Sequence, residues 1–154
     1  MTIGKFITLE GVEGVGKSTN LELISDLVES GGYDVLLTRE PGGTRLGERV
    51  RDILLDKKET GMTPMAELLL MFAARAQHVE EVIKPALARG TWVVSDRFTD
   101  SSYAYQGGGR QLGSDVVAEL EQLVLGDFRP DLRWTCLTTC PILIFTASLP
   151  VLKF

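Results

Sequence analysis

Short apolar runs that alternate with segments of helical period predict an α/β fold, a parallel sheet with helices on its faces. A second observation is chemical. The apolar run Phe6 to Leu9 opens into EGVEGVGKST, Glu10 to Thr19, where Gly11, Gly16, Lys17 and Ser18 complete the spacing G-x-x-x-x-G-K-[ST] ahead of a helix-period segment. Phosphate oxygens must sit against backbone N–H groups. Glycines let the chain bend with positive φ and keep side chains out of the approach, and the following helix turns its positive end to the same anion. The stretch reads as a phosphate-binding P-loop. Gly11, Val12, Glu13, Gly14, Val15, Gly16, Lys17, Ser18 and Thr19 are expected to hold the phosphates of a nucleotide, with Lys17 reaching the outer phosphates and Ser18 placed to hold Mg²⁺.

In chain order, Lys5 to Glu10 reads as a buried strand. Ser18 to Glu29 reads as the helix behind the loop, with apolar residues at Leu21, Leu23, Ile24, Leu27 and Val28 and a stop at Gly31 and Gly32. Asp34 to Arg39, DVLLTR, is a second strand, followed by a turn at Pro41 to Gly43. Helical spacing returns over Leu46 to Leu55, and again from Met65 to about Ala88, closed by Gly90. Thr91 to Asp96, TWVVSD, is a third strand, and Ser114 to Leu125 a further helix. Repeats and low-complexity tracts are absent from the sequence.

A chain of 154 residues with 44% hydrophobic content builds one core. Its net charge of -5 argues against a surface that gathers nucleic acid, so an anion must be held locally by arginine, lysine and backbone groups. The start, MTIGKF, runs directly into a strand without the basic, apolar and small-residue succession of an export signal, and a cytoplasmic protein is expected. Two cysteines, Cys136 and Cys140, and one histidine, His78, supply neither a zinc ligand set nor a disulfide framework. His78 is expected on a helix surface with no catalytic role.

P-loops serve several chemistries. A guanine-reading switch protein carries N-K-x-D, and the only asparagine is Asn20 inside the first helix; no aspartate is followed three residues later by glycine to sense a γ-phosphate. Remodelling ATPases commonly end their second catalytic strand in Asp-Glu, whereas this strand ends Ser95-Asp96-Arg97. An acid followed by arginine suits a different chemistry, because Asp96 lies at the strand's carboxyl end near Mg²⁺ and Arg97 beside it can hold a second phosphate.

Five segments in order, GVEGVGKST, TREPGGT from Thr38 to Thr44, LLLMFAARAQH from Leu68 to His78, SDRFTDSSYAYQGGGR from Ser95 to Arg110 and GDFRPDL from Gly126 to Leu132, resemble bacterial thymidylate kinase. The resemblance implies a P-loop NTPase fold of the nucleoside monophosphate kinase kind. It implies transfer of the γ-phosphoryl group of ATP to dTMP, giving dTDP and ADP, with Mg²⁺ at Ser18 and Asp96, and it allows a homodimer. By the same resemblance Lys17, Asp96 and Arg97 form the catalytic set. Glu13, Arg39, Arg51 and Arg97 meet the acceptor nucleotide, Arg75, Ser102 and Gln106 address the thymine edge, and Tyr105 crowds the sugar to select 2′-deoxyribose. Many relatives place the aromatic that stacks on thymine four residues before the base-reading arginine. That position is Met71 here, so Phe72, three before Arg75 and on the same helix face, is expected to supply the platform.

Residues 1–132 thus read as a kinase body and residues 133–154 as an apolar tail unlike the family. After Arg133 the only charged side chain is Lys153, and Pro141, Pro150 and the threonines break up a span too short for a comfortable membrane anchor, so no membrane contact is expected. The tail reads as a frameshifted or altered end. It stands in place of the family's next strand, the arginine-rich lid that Gly14 would require and the closing helices; if Leu132 to Thr139 cannot substitute for that strand, the P-loop strand is left with an open, aggregation-prone edge. The alternative function is therefore a catalytically impaired fragment that at most binds nucleotide. Either way the P-loop sets ATP binding. Lys17→Ala is expected to weaken it by more than tenfold, about 1.4 kcal/mol, in a calorimetric titration.

Overall fold

The computed structural model describes residues 3–12 and 14–136. Four strands, β1 (Phe6–Gly11), β2 (Val35–Arg39), β3 (Trp92–Asp96) and β4 (Leu132–Cys136), form one parallel sheet in the order β2-β3-β1-β4. Among the described residues six helices accompany it: α1 (Lys17–Ser30), α2 (Arg45–Leu55), α3 (Pro64–His78), α4 (Lys84–Ala88), α5 (Thr99–Ser102) and α6 (Ser114–Leu125). Within that same range no helix is long and apolar enough to cross a membrane.

Both faces of β1 are covered, which is why its sequence reads as a continuous apolar run. Ile7 and Leu9 point to one face and pack with Val94, Leu132 and the α1 residues Ile24 and Val28. Phe6 points to the other, with Val93, Ile83, Ala86 and Leu125; its ring meets Phe98 edge-on at 5.0 Å and stacks on Phe128 at 5.6 Å. Burying such side chains contributes roughly 1.5–3 kcal/mol each. A third cluster, Leu68, Phe72 and Val117, joins α3 to α6. Along the Phe6 face the side chains then turn polar, through Thr8 to Glu10, both buried. That gradient marks the carboxyl end of the sheet, where ligands of open α/β sheets bind.

Local chemistry sets the helix starts. Thr44 and Thr63 cap α2 and α3, their hydroxyls accepting from Gly47 N and Ala66 N, and Pro64 fills the first turn of α3. The single helix expected from Met65 to Ala88 is interrupted. A π-helical turn, Val79–Ile83, lies between α3 and α4, and Lys84 N–H donates to Val79 O. Pro85 has no N–H for the carbonyl four residues back, so the chain widens by one residue before it. The segment Thr99 to Gly109, not assigned from sequence, forms α5 and a second π-helical turn, Tyr103–Gly109.

The chain from Leu132 substitutes for the family's next strand, and the open edge is not found. Leu132–Cys136 pairs in parallel with β1 from Ile7 opposite Leu132 to Gly11 opposite Cys136, so the P-loop strand has a neighbour on each side. The physical reason lies one residue earlier. Asp131 N–H donates to Phe6 O at 2.8 Å, and its carboxylate accepts from Phe6 N at 2.9 Å and from Lys5 Nζ at 2.7 Å. These bonds fix the register, and Leu132 then buries itself beside Ile7. Arg133 pairs with Asp100 at 3.0 Å. The lid and closing helices concern residues 137–154, which lie outside the described residues. Asp131→Ala is expected to lower stability by about 1–2 kcal/mol, and Asp131→Asn, which keeps an acceptor for Phe6 N, by less than half of that, measured by urea unfolding.

Candidate active site

The P-loop leaves β1 at Gly11 and enters α1 at Lys17. Gly16, at the N-terminal boundary of α1, has φ 82°, a left-handed conformation that side chains rarely adopt. Lys17 Nζ donates to Gly11 O at 3.0 Å and Val12 O at 2.9 Å, so the ammonium is held across the mouth of the loop. Glu13 lies outside the described residues.

A cleft of about 510 Å³ opens beside this loop, with Lys17, Ser18, Arg39, Asp96 and Arg97 among its walls. Asp96 Oδ1 is buried and has no hydrogen-bond partner among the described residues. A carboxylate oxygen left bare next to a P-loop serine suits Mg²⁺, which takes one or two protein oxygens and completes its shell with phosphate and water. Among the described residues no group of three His, Cys, Asp or Glu is placed to hold a metal ion. Arg97 has φ 72°, a conformation costly for a side chain of its size. It is held there by Arg97 N–H to Leu9 O at 2.8 Å and by Ser95 Oγ donating to Arg97 O at 2.9 Å. The guanidinium lies 5.2 Å from the centre of the Tyr105 ring.

A second cleft, about 250 Å³, adjoins the first and shares Glu40, Arg51 and Arg97 with it; Met71, Tyr105 and Gln106 line its far side. Arg51 donates to Pro41 O at 2.9 Å, and Arg39, half exposed, pairs with Glu48 at 2.9 Å. Arg75 is buried. Its Nε–H donates to Glu40 at 2.6 Å, one Nη to Phe98 O at 2.9 Å and Ser102 Oγ at 3.2 Å, and the other Nη has no partner among the described residues.

Two expectations are corrected. Phe72 does not line the cleft: only 2% exposed, it sits in the α3–α6 core, and the Arg75 guanidinium lies 4.6 Å from its ring centre. Met71, one residue earlier and so about 100° around the helix, takes the cleft position. His78 is not on the surface but fully buried. Its Nδ1–H donates to Glu40 Oε1 at 3.0 Å, because a carboxylate only accepts, and Nε2 bonds Thr38 Oγ1 at 2.7 Å. A Cβ on Gly43 would come within 2.4 Å of Nε2, so the loop after β2 closes onto the imidazole as a glycine. Glu40 therefore ties this loop to α3 through both its oxygens, a role that the TREPGGT segment carries in its sequence without disclosing.

Glu10 is another group that sequence reading passed over. Its carboxyl accepts from Phe98 N at 2.7 Å and Ser101 Oγ at 2.5 Å. Burial pushes its pKa from the ordinary 4.5 up to about 7, with the nearby Asp100 charge adding to the rise and the two hydrogen bonds opposing it.

Two adjoining clefts share arginines, one at a P-loop and one past the third strand. With the parallel four-stranded sheet, this arrangement is the fold of a P-loop nucleoside monophosphate kinase. The thymidylate kinase family model matches residues 9–140, and the chain belongs to that family. It is 60% identical over 129 residues to the thymidylate kinase of Ectopseudomonas mendocina, a match covering 84% of this chain and 61% of that protein. Against the thymidylate kinase of Pseudomonas fluorescens strain SBW25 the identity is 62% over 129 residues, with the same coverage. A crystal structure of thymidylate kinase from Ehrlichia chaffeensis shares 40% identity and a TM-score of 0.79, over 86% of this chain and 71% of the other. The chain spans 61% of the length of these two curated relatives.

Because the folded Glu10 carboxyl holds its proton up to about 7 and the unfolded one releases it near 4.5, the fold loses stability as pH rises through that window. Glu10→Gln, which stays neutral, is expected to gain on the wild type progressively from pH 4.5 to 7.5, on the order of 3 kcal/mol in all, in urea unfolding at a series of pH values.

Proposed function

We propose that this chain binds ATP and dTMP and transfers the γ-phosphoryl group to the dTMP phosphate, giving ADP and dTDP. The observation that carries this reading is the pair of clefts sharing Arg51 and Arg97. Arg97, locked in its backbone conformation by Leu9 O and Ser95, clamps the acceptor phosphate from its strand end, with Arg39 and Arg51 completing the cationic wall. An acceptor phosphate oxygen attacks the γ-phosphorus. The new O–P bond forms as the bond to the β,γ-bridging oxygen breaks, and ADP leaves with that electron pair. Lys17 and the loop amides stabilise the migrating group. Ser18 and Asp96 would hold Mg²⁺, which supplies charge neutralisation on the β- and γ-phosphates.

At the other end Gln106 addresses the pyrimidine, Tyr105 crowds C2′ of the sugar, and Met71 rather than Phe72 gives the base its apolar contact; the family resemblance adds Arg75 and Ser102 to the base site, although both are buried and absent from the cleft walls. A site built from buried polar groups rejects a base that leaves them unpaired. Competition binding is expected to rank dTMP above dCMP and well above dAMP and dGMP; a purine monophosphate binding more tightly than dTMP would remove the acceptor assignment and leave the kinase class standing.

A second reading is favoured by Gly14, a position at which the P-loop carries no arginine to add to Lys17. Loss of a transition-state arginine costs on the order of 10³ to 10⁵ in rate. On this reading the chain binds both nucleotides and transfers slowly, and dTMP-dependent ADP release measured beside an equimolar sample of a curated relative separates the two.

A further inference from the structure

The buried amide of Gln106 has two ends with different fates. Its Nε2 donates to Glu67 Oε1 at 2.8 Å, and its Oε1 is buried with no partner among the described residues. Glu67 sits in the first turn of α3, and its other oxygen accepts from Arg110 at 2.7 Å. A carboxylate can only accept, so the amide nitrogen must face Glu67 and the amide oxygen must face away. Turning the amide over would set two acceptors against each other at Glu67 and break the 2.8 Å bond.

We propose that Glu67 is a specificity-determining positioning residue: by claiming the Gln106 amide nitrogen it makes Gln106 present an acceptor to the base, and so selects a pyrimidine that carries a hydrogen on N3. The inference rests on the dTMP reading above. Thymine and cytosine differ on this edge in a way an amide oxygen can tell apart. Thymine has N3–H, a donor, whereas cytosine has a bare N3, an acceptor. A buried carbonyl without a donor is destabilising, so the amide oxygen gains a partner from thymine and meets a lone pair from cytosine. The second Nη of Arg75 is also buried without a partner among the described residues, but Arg75 lines neither cleft, so the discrimination rests on Gln106. Glu67 itself is absent from the walls of either cleft, so its effect passes through Gln106.

The probe that isolates this edge is 5-methyl-dCMP, which keeps the methyl group, sugar and phosphate of dTMP and changes only N3 and the 4-substituent. Calorimetric titration of the full chain with both nucleotides is expected to show the wild type favouring dTMP by about 100-fold or more. In Glu67→Gln the neighbour can donate as well as accept, the Gln106 amide is free to turn over, and the preference is expected to fall at least about tenfold, through weaker dTMP binding with 5-methyl-dCMP unchanged or tighter. Glu67→Ala, which leaves that place to water, is expected to do the same and serves if Glu67→Gln does not fold. A merely structural role would weaken both nucleotides by one factor. An unaltered ratio in the variants, beside a wild type that prefers dTMP, overturns the role of Glu67 alone. A wild type with no preference for dTMP over 5-methyl-dCMP overturns the thymidylate reading on which it rests.

Discussion

The pairing of β1 with a parallel neighbour on each side is the constraint on which the rest of the structure depends. Phe6 to Leu9 lie opposite Val93 to Asp96, and Ile7 to Gly11 opposite Leu132 to Cys136. Parallel strands end at the same edge of a sheet, so this pairing brings the P-loop and the Asp96-Arg97 corner together, and the pairing of β2 with β3 adds Arg39 and Glu40. No single loop builds the site. Each contributes one or two side chains, and the sheet supplies their relative position.

Away from the P-loop the site is held by two buried carboxylates, Glu10 and Glu40, and one half-buried, Glu67. Glu40 joins the loop after β2 to α3 through Arg75 and His78, Glu10 joins β1 to the start of α5, and Glu67 joins α3 to the π-helical turn through Gln106. Each is bonded through partners distant in sequence. Glu40 and Arg75 form a buried charged pair, and removing one partner would leave the other uncompensated at a cost of about 3–5 kcal/mol. The Gln106 amide at the cleft wall is anchored in turn by Glu67.

What was legible in the sequence was what local sterics write into it. The P-loop, the two-sided apolar strands and the helix behind the loop follow from backbone geometry and burial, and each lies within a residue or two of its expected bounds. The site residues divide differently. Lys17, Ser18, Arg39, Arg51, Asp96, Arg97, Tyr105 and Gln106 all line the two clefts. Phe72, Arg75 and Ser102 do not; for Phe72, both helix spacings point toward one broad face and a rotation of about 100° between neighbours decides which side chain enters a cleft and which enters the core. His78 and Glu40 were missed as a pair since their meeting spans 38 residues of chain, and β4 because its register comes from Asp131 reaching Phe6, 125 residues away. Composition announces a polar residue without saying what it will touch.

Arg51 and Arg97 stand on the boundary between the clefts, and that position has a thermodynamic consequence. An anion on one side would partly satisfy guanidiniums that an anion on the other side would also use, so two such ligands would not bind as strangers. Any factor by which the first altered the affinity of the second would have to equal the factor by which the second altered the first. A cationic wall held in common would make two binding events a single, reciprocal equilibrium.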